Sequence, residues 1–276
     1  MNRGGEQLGY TVVEVMIFLV ISSMLFIGAM IAIGGQQEKT QFAQAMRDID
    51  SKIQSTIGEI YSGYYPSFTN IKCSALANST NPPSFALAAG SQGTNSECIF
   101  MGKTFQFAVS GSNGESYNVF SVAGRRYKQN TTINQEVDSM AEALPRAIFN
   151  GSVDLTETNY LKWGLHVTKV TKATTNTDLA MFGFISSVGT YNSAGTDLVS
   201  GAQKIDLVAL VGGLNKVKAT AANDVNTLNT ADAANGVTVC FNSANNKQKG
   251  SITIGQNDGK YSTVLGLDSQ ISGLCP

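Results

Sequence analysis

The stretch GYTVVE at residues 9–14 decides how this 276-residue chain folds, because it opens an apolar run that continues to Gly35 with Glu14 as its only charge. From Val15 to Gly35 about 21 uncharged residues follow. As an α-helix they reach about 30 Å, the thickness of a bilayer's hydrocarbon core. A carboxylate inside such a helix costs roughly 2.5 to 3.5 kcal/mol on insertion scales. We therefore expect a membrane helix whose acid has a partner inside the membrane.

The run differs from a cleaved secretory signal, which has a basic start, a shorter apolar core and small residues at the core's far end. Before the run, Arg3 is the one basic residue and Glu6 offsets it. Arg3 and the free N-terminus favour a cytoplasmic N-terminus. The sequence thus predicts a single-pass membrane protein with its head outside the cytoplasm. A plain signal anchor, in which Glu14 reaches back to the lipid headgroups, is the alternative.

The short polar leader ending in Gly9, the aromatic Tyr10, the acid Glu14 and the apolar helix together resemble the signal of type IV prepilins and pseudopilins. The resemblance implies that a prepilin peptidase cuts between Gly9 and Tyr10, and that the new amine of Tyr10 is methylated. It also implies that Glu14 pairs with the N-terminal amine of a neighbouring subunit, and such opposite charges attract far more strongly in hydrocarbon than in water. The chain departs from the family pattern in lacking a basic cluster in the leader and in having no Pro before Pro66.

Beyond the apolar run, large apolar residues recur at spacings of three and four, which predicts an amphipathic continuation of the helix. This stripe consists of Phe42, Ala45, Met46, Ile49, Ile53, Ile57 and Ile60. Gly63 and Pro66 end the pattern, giving one helix of about 50 residues. We expect the stripe to hold the globular domain against the helix.

These features predict an α+β fold in which a long N-terminal helix, half in the membrane and half amphipathic, packs on a mostly antiparallel β domain. The predicted organisation is a leader at 1–9, a transmembrane and assembly half of the helix at 10–35, an amphipathic half at 36–63 and a globular head at 64–276. Within the head, the segment 236–276 is predicted to form a C-terminal β meander.

Alternating apolar residues predict the strands of the head. In chain order these are 105–109, 117–122, 161–168, 179–187, 204–211, 237–242, 252–254 and 261–267. The first two form a hairpin, residues 257–259 make a tight turn, and residues 67–102 read as a long excursion. The strand at 161–168 has Trp163 on its apolar face and His166 on the solvent side. The segment 138–149 stays open, since it suits a short helix that Pro145 would break.

Four cysteines, Cys73, Cys98, Cys240 and Cys275, form an even set in the part of the chain expected outside the cytoplasm. Disulfides are therefore predicted, with three connectivities open and the nearest pairs being Cys73 with Cys98 and Cys240 with Cys275. The resemblance to pilins, in which a C-terminal disulfide is common, fits the pair Cys240 and Cys275. A metal site is disfavoured because no C-x-x-C spacing occurs and His166 is the single histidine.

Other functional classes find little support. The net charge is -1 and 14% of residues are charged, without a basic stripe, so no nucleic acid is predicted as a partner. With one histidine and no nucleophile, zinc or phosphate-loop motif, we expect neither an enzyme nor a cofactor. Asp48, Asp50 and Glu59 lie on the polar face of the helix and are predicted to be solvated. The segments 224–226 and 232–236 fail the spacing of a calcium loop, although calcium there stays an alternative.

The sequence thus predicts a pilin-like structural subunit, a minor one because the head is large, that moves from the membrane into a pilus at the cell surface. Its expected partners are other pilin subunits, the prepilin peptidase, an inner-membrane assembly platform and membrane lipid. One alternative is an adhesive head that binds through the loops 67–102 or 189–201. Another is a pseudopilin of a type II secretion system.

Overall fold

The computed structural model of the protein describes residues 10–63, 71–75, 81–88, 97–128, 135–186, 205–257, 260–268, 271, 273 and 275. Gly9, the loop 189–201 and most of the turn 257–259 lie outside these residues. The chain divides into two compact units, Met1–Gln44 and Ala45–Pro276. Each unit is described by itself.

A single helix, α1 (Val12–Tyr61), contains both halves of the predicted N-terminal helix. It is the one helix among the described residues that is long and apolar enough to cross a membrane. In the second unit, the apolar stripe of α1 is buried, with no member more than 5% exposed. These buried residues are Ala45, Met46, Ile49, Ile53, Ile57 and Ile60. The amphipathic half therefore folds as a core element of the second unit.

The strands of the second unit are all antiparallel to their neighbours. They are β1 (Ile71–Ser74), β2 (Ser84–Leu87), β3 (Cys98–Phe107), β4 (Ser116–Arg125), β5 (Arg146–Ala147), β6 (Phe149–Asn150), β7 (Val153–Asp154), β8 (Thr156–Tyr160), β9 (His166–Lys172), β10 (Leu179–Ser186), β11 (Ile205–Val211), β12 (Val237–Asn242), β13 (Lys249–Asn257) and β14 (Lys260–Leu267). The predicted α+β class, a long helix with an antiparallel β domain, is confirmed.

The largest sheet has the order β11-β10-β3-β4-β5, with β8 also paired to β4. All residues of β4 and β10 are buried, so this sheet is covered on both faces. One face carries a cluster of stacked aromatic rings, including Phe105, Phe107, Tyr117 and Phe182. Such rings supply much of the buried apolar area of a core.

The opposite face of the large sheet packs against two short helices, α2 (Met140–Ala143) and α3 (Lys218–Asp224). Phe120 and Val122 of β4 meet Ala143 of α2 and Ala221 of α3 in one buried cluster. Short 3-10 helices at Val225–Thr227 and Ala231–Ala233 follow α3. Covering by helices explains why β4 is buried throughout instead of alternating with solvent.

The C-terminal strands β12, β13 and β14 pair consecutively as a meander, in a sheet of order β14-β13-β12-β9. The strand β9 adds to the free edge of β12. The edge strand β14 lies beside the buried half of α1. Gln54 of α1 donates a hydrogen bond to the Thr263 hydroxyl at 2.7 Å, and the Tyr61 hydroxyl accepts one from the Tyr261 amide at 3.4 Å.

The predicted strand at 161–168 is wrong in its first half. The strand β9 begins at His166, and residues 161–165 form a loop instead. Leu161 and Leu165 are buried, whereas Trp163 is 44% exposed and has a φ of 54°. That left-handed backbone breaks the alternation on which the prediction relied. His166 is half-buried, with its ring Nδ1 3.5 Å from the Gly164 carbonyl oxygen.

Two other segments are more regular than the sequence indicates. Within 67–102, read as an irregular excursion, β1 pairs with β2 and β3 begins at Cys98. In the open segment 138–149, the helix α2 forms a single turn, with the Ser139 side chain accepting a hydrogen bond from the Glu142 amide. Leu144 then adopts a left-handed conformation, which ends the helix before Pro145. The predicted hairpin of β3 and β4 and the strands β10 and β11 are confirmed.

Candidate functional site

The start of α1 is built around a reciprocal set of hydrogen bonds between Thr11 and Glu14. The Glu14 amide donates to the Thr11 hydroxyl at 3.3 Å, and the Glu14 carboxylate accepts from the Thr11 amide and hydroxyl, both at 3.4 Å. This is a capping box, in which a Ser or Thr before the helix and a Glu three residues later satisfy each other's backbone amides. Glu14 therefore has a local structural role at the helix N-terminus.

The carboxylate of Glu14 nevertheless keeps capacity for a further partner. Glu14 is exposed, and its bonds to Thr11 are at the long end of the range for hydrogen bonds. An ionised carboxylate offers about four lone-pair sites on two oxygens. Both bonds from Thr11 use the same oxygen of Glu14, Oε2. The geometry leaves room for a cation at this end of the helix.

Around Glu14 the helix exposes a continuous apolar surface. From Val12 to Met30 every residue is exposed except Ser22, which is half-buried. Large side chains are widely exposed here, with Phe18 69% and Leu25 70% exposed. Contiguous apolar surface on this scale marks a membrane or protein contact, because in water it would drive association. Tyr10, at the start of this surface, is 83% exposed.

Both predicted disulfides are present in the structure, as the nearest-neighbour pairs. Cys73 of β1 is bonded to Cys98 of β3, with Cα atoms 6.2 Å apart, and Cys240 of β12 is bonded to Cys275, with Cα atoms 5.4 Å apart. The first bond ties the small β1–β2 hairpin to the large sheet, and the second ties the C-terminal tail to the meander. Each closes a loop whose freedom in the unfolded chain is thereby reduced.

A group of alternating charges, here called the ion quartet, joins the buried half of α1 to the large sheet. It consists of Lys52 and Glu59 of α1, Lys103 of β3 and Glu157 of β8. The Lys103 ammonium lies 2.8 Å from Glu59 and 3.0 Å from Glu157, and the Lys52 ammonium lies 2.5 Å from Glu157. The Lys103 side chain is only 7% exposed and that of Glu59 is 31% exposed, so Glu59, which was predicted to be solvated, is half-buried and ion-paired.

The ion quartet shifts the pKa values of two of its members, Lys103 and Glu157. Burial acts most strongly on the pKa of Lys103 and lowers it, but hydrogen bonds to Glu59 and Glu157 outweigh burial and raise the pKa above its usual value. For Glu157, burial raises the pKa, but hydrogen bonds from Lys52 and Lys103 bring it below its usual value. Lys103 and Glu157 are therefore held in their charged forms. This is a structural contact between helix and sheet.

The residues considered for calcium are engaged in ion pairs with lysine. Asp224 lies 2.5 Å from the Lys216 ammonium, and Asp232 lies 3.1 Å from the Lys172 ammonium. Asp48 likewise pairs with Lys162 at 2.9 Å. Among the described residues, no group of three His, Cys, Asp or Glu side chains is placed to hold a metal ion.

Comparison with protein-family models, with curated proteins and with solved structures finds no match in any of the three. The architecture itself, one long apolar N-terminal helix with an antiparallel, disulfide-bonded β domain, is compatible with a pilin-like protein.

Sequence reasoning missed two features of the site. The capping box was readable from the spacing of Thr11 and Glu14. The ion quartet had no comparable signal. Lys103 and Glu157 are brought together by the pairing of β3 with β4 and of β4 with β8, and Lys52 reaches Glu157 from α1.

Proposed function

We propose that the chain is a type IV pilin-like structural subunit, made as a prepilin, cut between Gly9 and Tyr10 and assembled into a filament through the first half of α1. The observation that carries the proposal is a single carboxylate, Glu14, at the start of an exposed apolar helix. The large second unit, Ala45–Pro276, suits a minor subunit of such a filament.

The chemistry at Tyr10 and Glu14 supports assembly through a charge pair. Cleavage after Gly9 would create a cationic amine on Tyr10, four residues before Glu14. In hydrocarbon, pairing an amine and a carboxylate on adjacent subunits would offset the free-energy cost of removing each charge from water. The pair would then fix the stagger between subunits, while the capping box keeps the helix start ordered. An isolated helix with the same acid would lack this compensation.

The apolar surface of α1 supports the same role by a second route. A helix that is apolar all round and exposed needs either lipid or other helices around it. A subunit that leaves the bilayer for a filament exchanges contacts with lipid for contacts with other helices. The head needs no such partner, because its own core buries the second half of α1.

The proposal is tested by mass spectrometry of the N-terminal peptide of the protein isolated from its native membrane. We expect a peptide that begins at Tyr10 and carries a methyl group on its amine. The substitution Gly9→Val should leave the leader attached and the protein in the membrane, whereas Gly4→Val, within the leader, should be processed normally. An intact Met1 in the native protein would show a signal anchor instead and would refute the proposal.

A further inference from the structure

Trp163, the single tryptophan of the chain, has an unusual combination of backbone conformation and exposure. Its φ is 54°, in the left-handed region that bulky residues rarely adopt, and it is 44% exposed. A strained backbone persists only when the surroundings impose it, and such strain clusters at functional sites. Here the strain turns a large aromatic ring outward from the loop 161–165.

The loop that carries Trp163 is held firmly at both ends. The Leu161 amide donates to the Glu115 carbonyl at 2.8 Å, and Leu161 and Leu165 are 9% and 1% exposed. Gly164 lies so close to the turn after β12 that a Cβ atom there would be 2.6 Å from the Ala244 Cβ. The exposed ring is thus presented by a preorganised loop, which lowers the entropy cost of binding.

Beside this loop is a cleft of about 330 Å³, here called the Tyr160 cleft. Its polar and aromatic lining consists of Asp48, Ser51, Tyr117, Asn159, Tyr160 and Lys162. Tyr160 is 76% exposed. The Lys162 ammonium connects the cleft to Trp163, because it lies 2.9 Å from Asp48 and 5.9 Å from the centre of the Trp163 ring. Tyr160 therefore lines the cleft directly, and Trp163 lies next to the cleft, on the Lys162 side chain.

The charges of the cleft are balanced. Asp48 and Lys162 neutralise each other, so an anion would be repelled by the carboxylate and a cation by the ammonium. Burial, together with the negative charges of Glu157 and Asp48, raises the pKa of Tyr117 to about 12, which keeps its phenol neutral. Phenol, amide and hydroxyl groups that both donate and accept hydrogen bonds make up the rest of the polar lining.

We propose that the Tyr160 cleft binds an uncharged carbohydrate, with a sugar ring against Tyr160 or Trp163 and its hydroxyls on Asp48, Asn159 and Lys162. A sugar ring has an apolar C–H face and a rim of hydroxyls, which matches aromatic faces beside mixed donors and acceptors. An apolar peptide would leave the polar lining unpaired. The volume falls in the range of ligand sites.

The test uses the full-length protein in a detergent without a sugar headgroup, on an array of neutral, anionic and cationic glycans. We expect binding of one or more neutral oligosaccharides, followed by a change in the fluorescence of Trp163 on titration with each bound oligosaccharide. By calorimetry, Tyr160→Ala and Trp163→Asn should each weaken that binding by about tenfold or more. Val264→Ser, at a residue of β14 that is 66% exposed, is the matched surface control and should bind normally.

The Trp163→Asn variant separates binding from folding. Asparagine tolerates the left-handed backbone better than tryptophan, so the melting temperature should stay the same or rise while binding is lost. Binding of charged glycans only, or of no glycan, would overturn the proposal. Self-association that these substitutions weaken, without glycan binding, would assign the cleft to a second copy of the chain. None of these results depends on processing at Gly9.

Discussion

The two halves of α1 have the same secondary structure, but the second half buries its apolar side chains and the first half exposes them. In the second half, the apolar residues recur along one stripe, and each from Ala45 to Ile60 is buried in the second unit. In the first half, apolar residues occupy all sides of the helix and are exposed, as Ile17 at 56% and Ile27 at 60% illustrate. The periodicity of the apolar residues, and not their number, decides which half packs within the chain.

This difference shows where the partners of each half are. The amphipathic half is stabilised by residues of its own chain, including the ion quartet and the contacts to β14. The apolar half leaves its surface exposed, and the function proposed above gives it lipid or other chains as partners. Under that proposal, one helix combines a folding element and an assembly element.

The largest expected effect is a loss of stability that differs between two isoleucines, one in each half of α1. Ile53→Ala should lower the free energy of unfolding of the head by about 2 to 5 kcal/mol, because Ile53 is 0% exposed and its truncation leaves a cavity. Ile27→Ala, the matched control, should change it by no more than about 0.5 kcal/mol. Urea unfolding in detergent micelles, followed by Trp163 fluorescence, measures both. Equal losses would contradict the division of α1.

A smaller effect is expected at the ion quartet. Lys103→Met should cost about 1 to 2 kcal/mol, because it leaves Glu59 and Glu157 close together without their shared cation. Lys162→Met removes a solvent-exposed pair with Asp48 and should cost less than about 1 kcal/mol. Adding Glu59→Gln and Glu157→Gln to Lys103→Met should recover part of the loss. Equal losses of stability in Lys103→Met and Lys162→Met would contradict the prediction, because the burial of Lys103 would then add nothing to the strength of its ion pairs.

The smallest effect is a dependence of head stability on pH. The pKa of Glu157 is lower in the folded protein, so its contribution is complete above its usual value of about 4.3 and is lost as the pH falls through the folded pKa. The pKa of Lys103 is raised, so its contribution is complete below about 10.4 and is lost as the pH rises through the folded pKa. Unfolding free energies should therefore form a plateau that falls at both ends.

The Lys103→Met variant tests whether Glu157 and Lys103 cause this dependence of stability on pH. The variant should show a shallower fall on both sides of the plateau, since Glu157 keeps only Lys52 and the buried ammonium is absent. An unchanged curve would mean that groups outside the ion quartet control the pH dependence.

Much of this molecule could be predicted because its strongest signals are local. The apolar run, the stripe of α1 and the alternation in β12 to β14 each depend on residues close in sequence. The loop at Trp163 could not be predicted in this way, since Leu161, Trp163 and Leu165 alternate as a strand would. Only the left-handed backbone at Trp163 and the close approach of Gly164 to Ala244 turn that segment into a loop.

The burial of the large sheet on both faces could not be predicted from the sequence either. The central strand β4 contains Asn118, which reads as a solvent position between the apolar residues Tyr117 and Val119. In the structure Asn118 is buried, donating to Gln106 at 3.0 Å and accepting from Thr158 at 2.9 Å. A buried polar row of this kind depends on partners from three strands, and no spacing along the sequence reveals it.

The central claim, that the apolar half of α1 finds its partners in other chains through Glu14, is tested most directly by the content of sheared filaments. Thr11→Val, which breaks the capping box at a cost of about 1 kcal/mol but keeps the acid, is the control. We expect Glu14→Val to be cleaved and membrane-bound but absent from filaments, while Thr11→Val enters them at near-normal levels. Filaments with normal amounts of Glu14→Val, or the equal loss of both variants, would contradict the claim.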